Sequence, residues 1–303
     1  MQLEGIHHIT AITGDAPGNV EFYAGVLGLR MVKKTVNQDE PTVYHLFYGD
    51  ERGSPGADLT FFEYPGARPG RAGAGMIHRI IWRVASPAAL DFWAGRLEDK
   101  GVSCERVSAS VLRFVDPEGL EHELRHEQVE DEPLTATAPE IPLEHALQGF
   151  HGVRAYALDP APSERLLGET LGFAGRGDRC WEARGELRGG SYAYDAAPEL
   201  GPQQGAGTVH HVAFAARMDD EQAWRERLAE AGAHPTPVID RFYFRSIYFR
   251  EPAGVLMEIA TIGPGFAVDE DPERLGERLS LPPRFEPLRA QLEEQLTPLP
   301  SPR

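Results

Sequence analysis

Four short segments of the chain share one pattern of hydrophobic and polar positions. Each begins with an apolar residue, has histidine second and an aliphatic residue fourth, and is rich in strand-forming residues. The segments are IHHITAI from Ile6, IHRIIWRV from Ile77, FHGVRAYAL from Phe150 and VHHVAFAA from Val209. Helix-capping residues and an amphipathic run follow each copy, and strand-like segments come next. The pattern predicts four β-α-β-β-β modules of roughly sixty to seventy residues each.

The modules predict an α+β protein with curved mixed sheets. An acidic, proline-bearing segment without strand periodicity, EQVEDEPLTATAPEIPLEHALQG, separates the second module from the third. We therefore expect an N-terminal domain of two modules over residues 1–135 and a C-terminal domain of two modules over 148–262. Residues 263–303 form a C-terminal tail that we expect to wrap the surface. Modules one and four should enclose a site, and modules two and three should form its degenerate partner.

Composition and charge narrow the function classes. The 303 residues are 41% hydrophobic and 25% charged, as is typical of globular proteins, and carry a formal charge of −17. This charge argues against nucleic acid and membrane surfaces as partners. The sequence has no apolar run of transmembrane length and no signal segment, so we expect a cytoplasmic protein. Cys104 and Cys180 fit neither a disulfide framework nor a zinc motif.

The residue after the shared histidine differs among the four modules. It is His8 in module one, Arg79 in module two, Gly152 in module three and His211 in module four. Neighbouring side chains on a strand point to opposite faces, so we expect one histidine of each pair to face the core and the other a site. A histidine that varies between copies of a scaffold is typical of a site added to that scaffold. His8 and His211 are therefore the candidate metal ligands.

A carboxylate completes the candidate set. Glu258 lies among apolar residues in the segment VLMEIAT, where burial would be costly without a cation. Module two has Glu123 at the matching place, but Arg79 and Gly152 cannot ligate a metal beside it. In module one the counterpart falls near Thr60 and Phe61, so no fourth protein ligand is expected unless Glu63 turns inward. Two histidines and one glutamate are the most economical set.

Such a set points to a class of chemistry. Two neutral imidazoles and one carboxylate on one face of a metal leave about three positions open, as in non-haem Fe(II) oxygenases. A dihydroxyaromatic substrate and O2 can then meet at one ion. Mn(II) accepts the same ligands, and the pattern does not choose between ortho and para diols.

The motifs resemble those of the vicinal oxygen chelate superfamily, which includes glyoxalases, bleomycin-resistance proteins and extradiol dioxygenases. The resemblance covers the whole chain and rests on IHHIT, VHHVAF, GVLMEIA and DRFYFRSIYFREP. It is strongest to the group of ring-cleaving hydroquinone dioxygenases. This implies an Fe(II) enzyme that acts on a small aromatic diol with O2, and a homo-oligomer is compatible with it. The metal ligands of the family fall on His8, His211 and Glu258, and its other site residues fall on His7, Thr10, His210, Arg241 and Tyr248.

Two other functions remain open for this fold at the sequence level. A glyoxalase-type isomerase or lyase usually needs a second carboxylate, and Thr60 and Phe61 occupy that place. A metal-free binding or resistance protein would have no need for His8, His211 and Glu258 together. Arg241 and Arg245 could instead form surface ion pairs, and Tyr248 could be a core residue.

Overall fold

Two eight-stranded mixed sheets form the frame of the molecule. The computed structural model describes residues 1–301. Its strands are β1 (Ile6–Thr13), β2 (Arg30–Val36), β3 (Tyr44–Gly49), β4 (Asp58–Glu63), β5 (Met76–Arg83), β6 (Cys104–Ser108), β7 (Val111–Val115), β8 (Glu121–Arg125), β9 (Phe150–Ala157), β10 (Ala174–Gly177), β11 (Cys180–Arg184), β12 (Gly189–Ala196), β13 (Thr208–Ala216), β14 (Ile239–Asp240), β15 (Arg245–Arg250) and β16 (Leu256–Thr261).

Each sheet joins one module from the N-terminal half of the chain to one from the C-terminal half. The first sheet has the order β14-β15-β16-β13-β1-β4-β3-β2, so it joins modules one and four. The second has the order β10-β11-β12-β9-β5-β8-β7-β6, so it joins modules two and three. The opening strands of the paired modules meet antiparallel at the centre of each sheet. The predicted α+β class of four paired modules is confirmed.

The halves of the chain are therefore interleaved in the sheets. The first sheet takes its strands from both ends of the described chain, and the second takes them from the middle. The predicted division into residues 1–135, 148–262 and 263–303 remains a prediction. In module three, β11 and β12 coincide with the two segments that the sequence offered as strands, WEARG and SYAYDA.

Five α-helices accompany the sheets in the described part of the chain, and the first two begin at predicted capping residues. They are α1 (Ala16–Val20), α2 (Pro87–Asp99), α3 (Ala161–Arg165), α4 (Glu221–Glu230) and α5 (Arg289–Gln295). The Asp15 side chain accepts a hydrogen bond from the Gly18 amide, and Ser86 accepts one from Ala89, so both cap a helix start. Both α1 and α3 continue into a π-helical turn. No helix within residues 1–301 has the length and apolar character needed to cross a membrane.

The described part of the tail packs against the first sheet through apolar and charged contacts. Five leucines of the tail are buried, namely Leu275, Leu279, Leu281, Leu292 and Leu296. The fully buried ammonium of Lys33 on β2 forms ion pairs with Asp269 and Glu270. It also lies 4.7 Å from the centre of the Tyr243 ring. These contacts hold the tail against the strands that surround the candidate site.

Candidate metal centre

Three central strands of the first sheet bring His8, His211 and Glu258 together. His8 Nε2 lies 3.3 Å from His211 Nε2, and the two nitrogens lie 3.2 Å and 2.9 Å from one Glu258 carboxylate oxygen. All three side chains are buried. Separations of 2.9–3.3 Å between ligand atoms are ones that a single metal ion with bonds of about 2.0–2.2 Å can bridge.

The register of the sheet accounts for this convergence. Strands β1 and β13 run antiparallel with Thr10 opposite His211, which places His8 close by. Strands β13 and β16 run parallel with Ala213 opposite Glu258. Because side chains two residues apart on a strand share a face, His211 and Glu258 point into the same concave side. The predicted ligand residues therefore meet although they lie up to 250 positions apart in the chain.

In each pair of adjacent histidines, the two rings are hydrogen-bonded to each other. His8 Nδ1 lies 2.9 Å from His7 Nδ1, and His211 Nδ1 lies 2.8 Å from His210 Nδ1. His7 Nε2 lies 3.1 Å from the Thr261 carbonyl oxygen, which can only accept, so His7 carries its proton on Nε2. His7 Nδ1 then accepts from His8 Nδ1–H, and His8 Nε2 keeps a free lone pair. This is the tautomer that a metal ligand requires.

His8 and His211 enter the site as expected, whereas the expected strict alternation of adjacent histidine side chains was wrong. The rings of His7 and His8 meet edge to face with centres 5.0 Å apart, and those of His210 and His211 lie 5.1 Å apart. In β1 the cause is an irregular register between Ile6 and His8, which interrupts the strict alternation of side chains. Each first histidine therefore lies beside the second.

The electrostatics of the triad fit a bound cation. Apart from the His8 and His211 nitrogens, at 3.2 and 2.9 Å, neither carboxylate oxygen of Glu258 has a partner within the described chain, and both are shielded from solvent. Burial raises the pKa of Glu258, but His8 and His211 outweigh this effect and hold that pKa well below its ordinary value. Burial lowers the pKa of His7 to about 3 and that of His210 to about 4, so both supporting rings are neutral. Two imidazoles and an ionised carboxylate, buried and facing one another, make a donor set suited to a divalent metal.

Thr60 occupies the place of a fourth ligand. Thr60 on β4 lies opposite Thr10, two residues beyond His8, as Glu258 lies opposite the residue two beyond His211. The hydroxyls of Thr10 and Thr60 lie 2.8 Å apart. Glu63 does not turn inward, because its carboxylate accepts from the Ala16 amide and the Thr297 hydroxyl. The second carboxylate expected of a glyoxalase-type site is therefore not at this position.

A small cavity of about 40 Å³ lies over the triad. Aromatic side chains form its walls, and polar groups enter from both outer edges of the sheet. The lining residues are His8, Thr35, Asn37, Gln38, Asp39, His45, Phe47, Phe62, His211, Arg241, Tyr243, Phe244 and Tyr248. The structure therefore brings both Arg241 and Tyr248 to the cavity.

Arg241 and Tyr248 lie on one side of this cavity. The Tyr248 ring stands edge-on to His211 with centres 5.6 Å apart, and the Arg241 guanidinium lies 5.4 Å from the Tyr248 ring centre. Both terminal nitrogens of Arg241 donate to Asp39, at 2.9 and 3.0 Å. Arg241 therefore lines the cavity and also forms an ion pair, the alternative role that the sequence left open. Arg245 instead pairs with Glu221 and Asp219.

Sequence reasoning missed three contributors to the cavity. His45 touches the cavity from β3, Asp39 holds Arg241, and Phe244 packs its ring 5.1 Å from that of His8. His45 and Phe47 alternate on β3 as residues of one face should, which was the available signal for His45. Asp39 gave no signal, because its partner lies 202 positions away.

Comparison with known proteins identifies the family of this chain. The model of the Glyoxalase/Bleomycin resistance protein/Dioxygenase superfamily matches residues 5–124 and 112–259. The chain is 42% identical over 302 residues to putative ring-cleaving dioxygenase MhqO of Bacillus subtilis (strain 168), covering 97% of this chain and 96% of the relative. It is 32% identical over 318 residues to chlorohydroquinone/hydroquinone 1,2-dioxygenase of Sphingobium indicum, covering 96% and 95%.

A solved structure agrees over nearly the full length. The crystal structure of a putative dioxygenase from Bacillus subtilis superposes with a TM-score of 0.92 at 41% identity, covering 99% of this chain and 98% of that one. The two chains therefore share both sequence and fold over nearly their full length. The chain belongs to the Glyoxalase/Bleomycin resistance protein/Dioxygenase superfamily, and within it to the ring-cleaving dioxygenases.

Proposed function

We propose that the protein uses Fe(II), held by His8, His211 and Glu258, to open a hydroquinone-like or catechol-like aromatic diol with O2. The observation that carries the proposal is the buried triad beneath an aromatic-walled cavity. The name of the chlorohydroquinone/hydroquinone 1,2-dioxygenase relative supports the substrate class. Mn(II) would accept the same ligands, and we propose Fe(II) because two imidazoles and one carboxylate with open positions are the donor set of non-haem Fe(II) oxygenases. Cleavage is of the extradiol type, next to a hydroxylated carbon.

The bound metal would supply open coordination positions at which the diol and O2 meet. The chain supplies the shape and dryness of the surroundings. Phe47, Phe62 and Phe244 line the cavity and exclude water from it. His7 and His210 hold the Nδ1 atoms of the ligand histidines and so keep their Nε2 lone pairs directed inward. Thr10 shares the face of His8 and holds Thr60 in place of a further ligand.

Tyr248 and Arg241 are suited to act on the diol itself. Burial and the nearby Glu258 raise the pKa of Tyr248, so its hydroxyl stays protonated at neutral pH and can donate to a phenolate oxygen. Burial opposes the charge on Arg241, but Asp39 outweighs burial and raises the pKa of Arg241. A permanent cation at the cavity edge stabilises negative charge that develops on a deprotonated diol.

Oxygen uptake tests this proposal. Protein loaded anaerobically with Fe(II) is mixed with air-saturated buffer containing either methylhydroquinone or catechol. The proposal predicts rapid O2 consumption with loss of the aromatic absorbance, and the faster substrate shows whether para or ortho diols are preferred. Bound iron without O2 uptake from either diol would overturn the proposal and favour an isomerase or a binding protein of the same fold.

A further inference from the structure

One polar side chain on the cavity wall keeps a ring nitrogen without a protein partner. His45 on β3 lines the cavity, and its Nε2 lies 2.9 Å from the Thr60 hydroxyl oxygen. Within residues 1–301 its Nδ1 makes no hydrogen bond. The imidazole thus has one nitrogen fixed by the protein and one available to a ligand in the cavity.

The surroundings hold this ring in one orientation. Its centre lies 4.0 Å from that of Phe47 and 4.4 Å from that of Phe62. The Thr60 hydroxyl that meets His45 is itself 2.8 Å from the Thr10 hydroxyl, beside the metal centre. Because packing and a hydrogen bond already restrict the ring, a ligand would order it at little further entropic cost.

Most other polar groups at this cavity are already engaged. Asn37 Oδ1 accepts from the Asp39 amide, and the Tyr243 hydroxyl donates to Asp269. Gln38 is tied at both ends of its amide, by donating to the Arg241 carbonyl and accepting from Arg284. The Thr35 hydroxyl oxygen has no hydrogen-bond partner within residues 1–301, but it is shielded from solvent. Tyr248 lies against His211, so it serves the metal end of the cavity.

His45 has the right character for a phenolic hydroxyl. Burial, followed by the nearby His8 and His211, lowers its pKa well below the ordinary value, so the ring is neutral with one N–H and one lone pair. The Thr60 hydroxyl can donate or accept, which allows either tautomer. A phenolic hydroxyl can also donate or accept, so the two groups are compatible in both arrangements.

The geometry of the substrate makes such a group necessary. A catechol can place both of its adjacent oxygens on one metal ion, whereas the para oxygens of a hydroquinone cannot reach the same ion. The second hydroxyl of a bound hydroquinone therefore needs a partner on the protein, because an unpaired buried hydroxyl costs free energy. We propose that His45 Nδ1 hydrogen-bonds the diol hydroxyl that lies away from the metal, and so favours para diols. This inference rests on the proposed function.

Binding measurements test the inference without turnover. Wild-type protein and His45→Phe, each loaded with redox-inert Zn(II) under anaerobic conditions, are titrated calorimetrically with hydroquinone and with phenol. The expected result is a loss of about fivefold in hydroquinone affinity for His45→Phe, with phenol affinity nearly unchanged, since a neutral hydrogen bond contributes about 1 kcal/mol. His45→Gln, which keeps a hydrogen-bonding group, should recover most of the loss.

A matched control separates hydrogen bonding from cavity shape. Phe62→Leu alters the wall beside His45 and should change the affinities for hydroquinone and phenol by the same factor. Equal losses of both ligands in His45→Phe, or no preference of the wild type for hydroquinone over phenol, would overturn the role of His45. Oxygen uptake by the iron-loaded wild type reports separately on the proposed function, so either claim can fail alone.

Discussion

The two sheets have the same strand arrangement but differ at the positions where the first sheet carries its candidate metal ligands. In each sheet a glutamate on a neighbouring parallel strand lies opposite the residue two beyond the module's second position, as the registers Ala213–Glu258 and Ile81–Glu123 show. Going from the first sheet to the second, Gly152 replaces His8 and Arg79 replaces His211, while the glutamate is kept as Glu123 in place of Glu258. The fold is retained while the metal-binding donor set is lost.

The two buried glutamates, Glu258 and Glu123, differ in the side chains that surround their carboxylates. Within residues 1–301 the Glu258 carboxylate meets the two ligand histidines, whereas Glu123 accepts from Arg113 at 2.8 Å and from Arg125 at 3.0 Å. A third arginine, Arg79, places its Nη1 atom 3.8 Å from Glu123 Oε2. The arginines thus compensate in the second sheet a charge that the first sheet leaves for a cation.

Backbone packing prevents the second sheet from rebuilding the site. A Cβ atom at Gly152 would lie 1.9 Å from Ser191 Oγ, so no side chain fits where His8 projects in the first sheet. The cavity on this side is also different, with a volume of about 700 Å³ and five arginines on its lining. The comparison teaches that the chemistry depends on three side chains and on the space left for them.

The largest expected effect comes from the same substitution at the two equivalent glutamates. Glu258→Gln should lower metal affinity by more than about a hundredfold and abolish metal-dependent turnover, since even outer hydrogen-bond partners of a ligand cost about 10–100-fold. His8→Ala and His211→Ala should have the same result. Glu123→Gln should leave metal stoichiometry unchanged. Metal analysis after anaerobic loading decides, and one full equivalent of metal bound by Glu258→Gln would remove it from the ligand set.

A smaller effect is expected at the first histidine of each module. His7→Ala removes the acceptor that fixes His8 and should weaken metal binding by about 10–100-fold. The matched variant His151→Ala, at the same position in the second sheet, should leave metal affinity unchanged. Competition with a chromophoric chelator measures both. Equal affinities of the two variants would show that His7 does not position His8.

The ion pairs of the second sheet should contribute to stability rather than activity. Asp131, 4% exposed, pairs with Arg83 and Arg184. Asp131→Asn should cost about 3 kcal/mol of unfolding free energy at pH 7. Burial raises the pKa of Asp131, but the arginines lower it to about 2, below the ordinary 3.8. The contribution is therefore present above about pH 4 and is lost as pH falls towards 2.

Urea unfolding of Asp131→Asn and wild type at several pH values checks this dependence. The difference in unfolding free energy should narrow as pH falls from 4. The neighbouring exposed Glu130→Gln serves as the control and should behave as wild type. A constant difference at every pH would contradict a role for the ionised Asp131.

The smallest effect is expected at Arg245, which flanks the site in sequence. Its contacts are with Glu221 and Asp219 outside the cavity, and exposed ion pairs contribute little. Arg245→Gln should therefore leave metal affinity and O2 uptake unchanged within error. A marked loss of activity would mean that Arg245 contributes to the site and is not limited to its ion pairs with Glu221 and Asp219.

Periodicity and internal repetition made the fold and the triad predictable. Four copies of one strand pattern gave the modules, and the residues that differed between copies singled out His8 and His211. Glu258 followed because an isolated carboxylate in an apolar strand needs a cation. The pairing of modules one and four follows from the need to bring these three residues together.

Contacts that depend on local irregularity or long separation could not be predicted. The edge-to-face His7–His8 contact depends on an irregular register that strict alternation excludes. The link from His45 through Thr60 to Thr10 depends on the order of three strands, and the Asp39–Arg241 pair joins two loops across the cavity mouth. Each of these residues is ordinary when considered singly, so only the assembled sheet shows its role.

Anomalous diffraction at the iron edge tests the central claim most directly. Crystals of the protein loaded anaerobically with Fe(II) should show one anomalous peak per chain, between His8 Nε2, His211 Nε2 and the Glu258 carboxylate. The second sheet should show none beside Glu123. A peak at another position, or no peak at the triad under saturating Fe(II), would contradict the account.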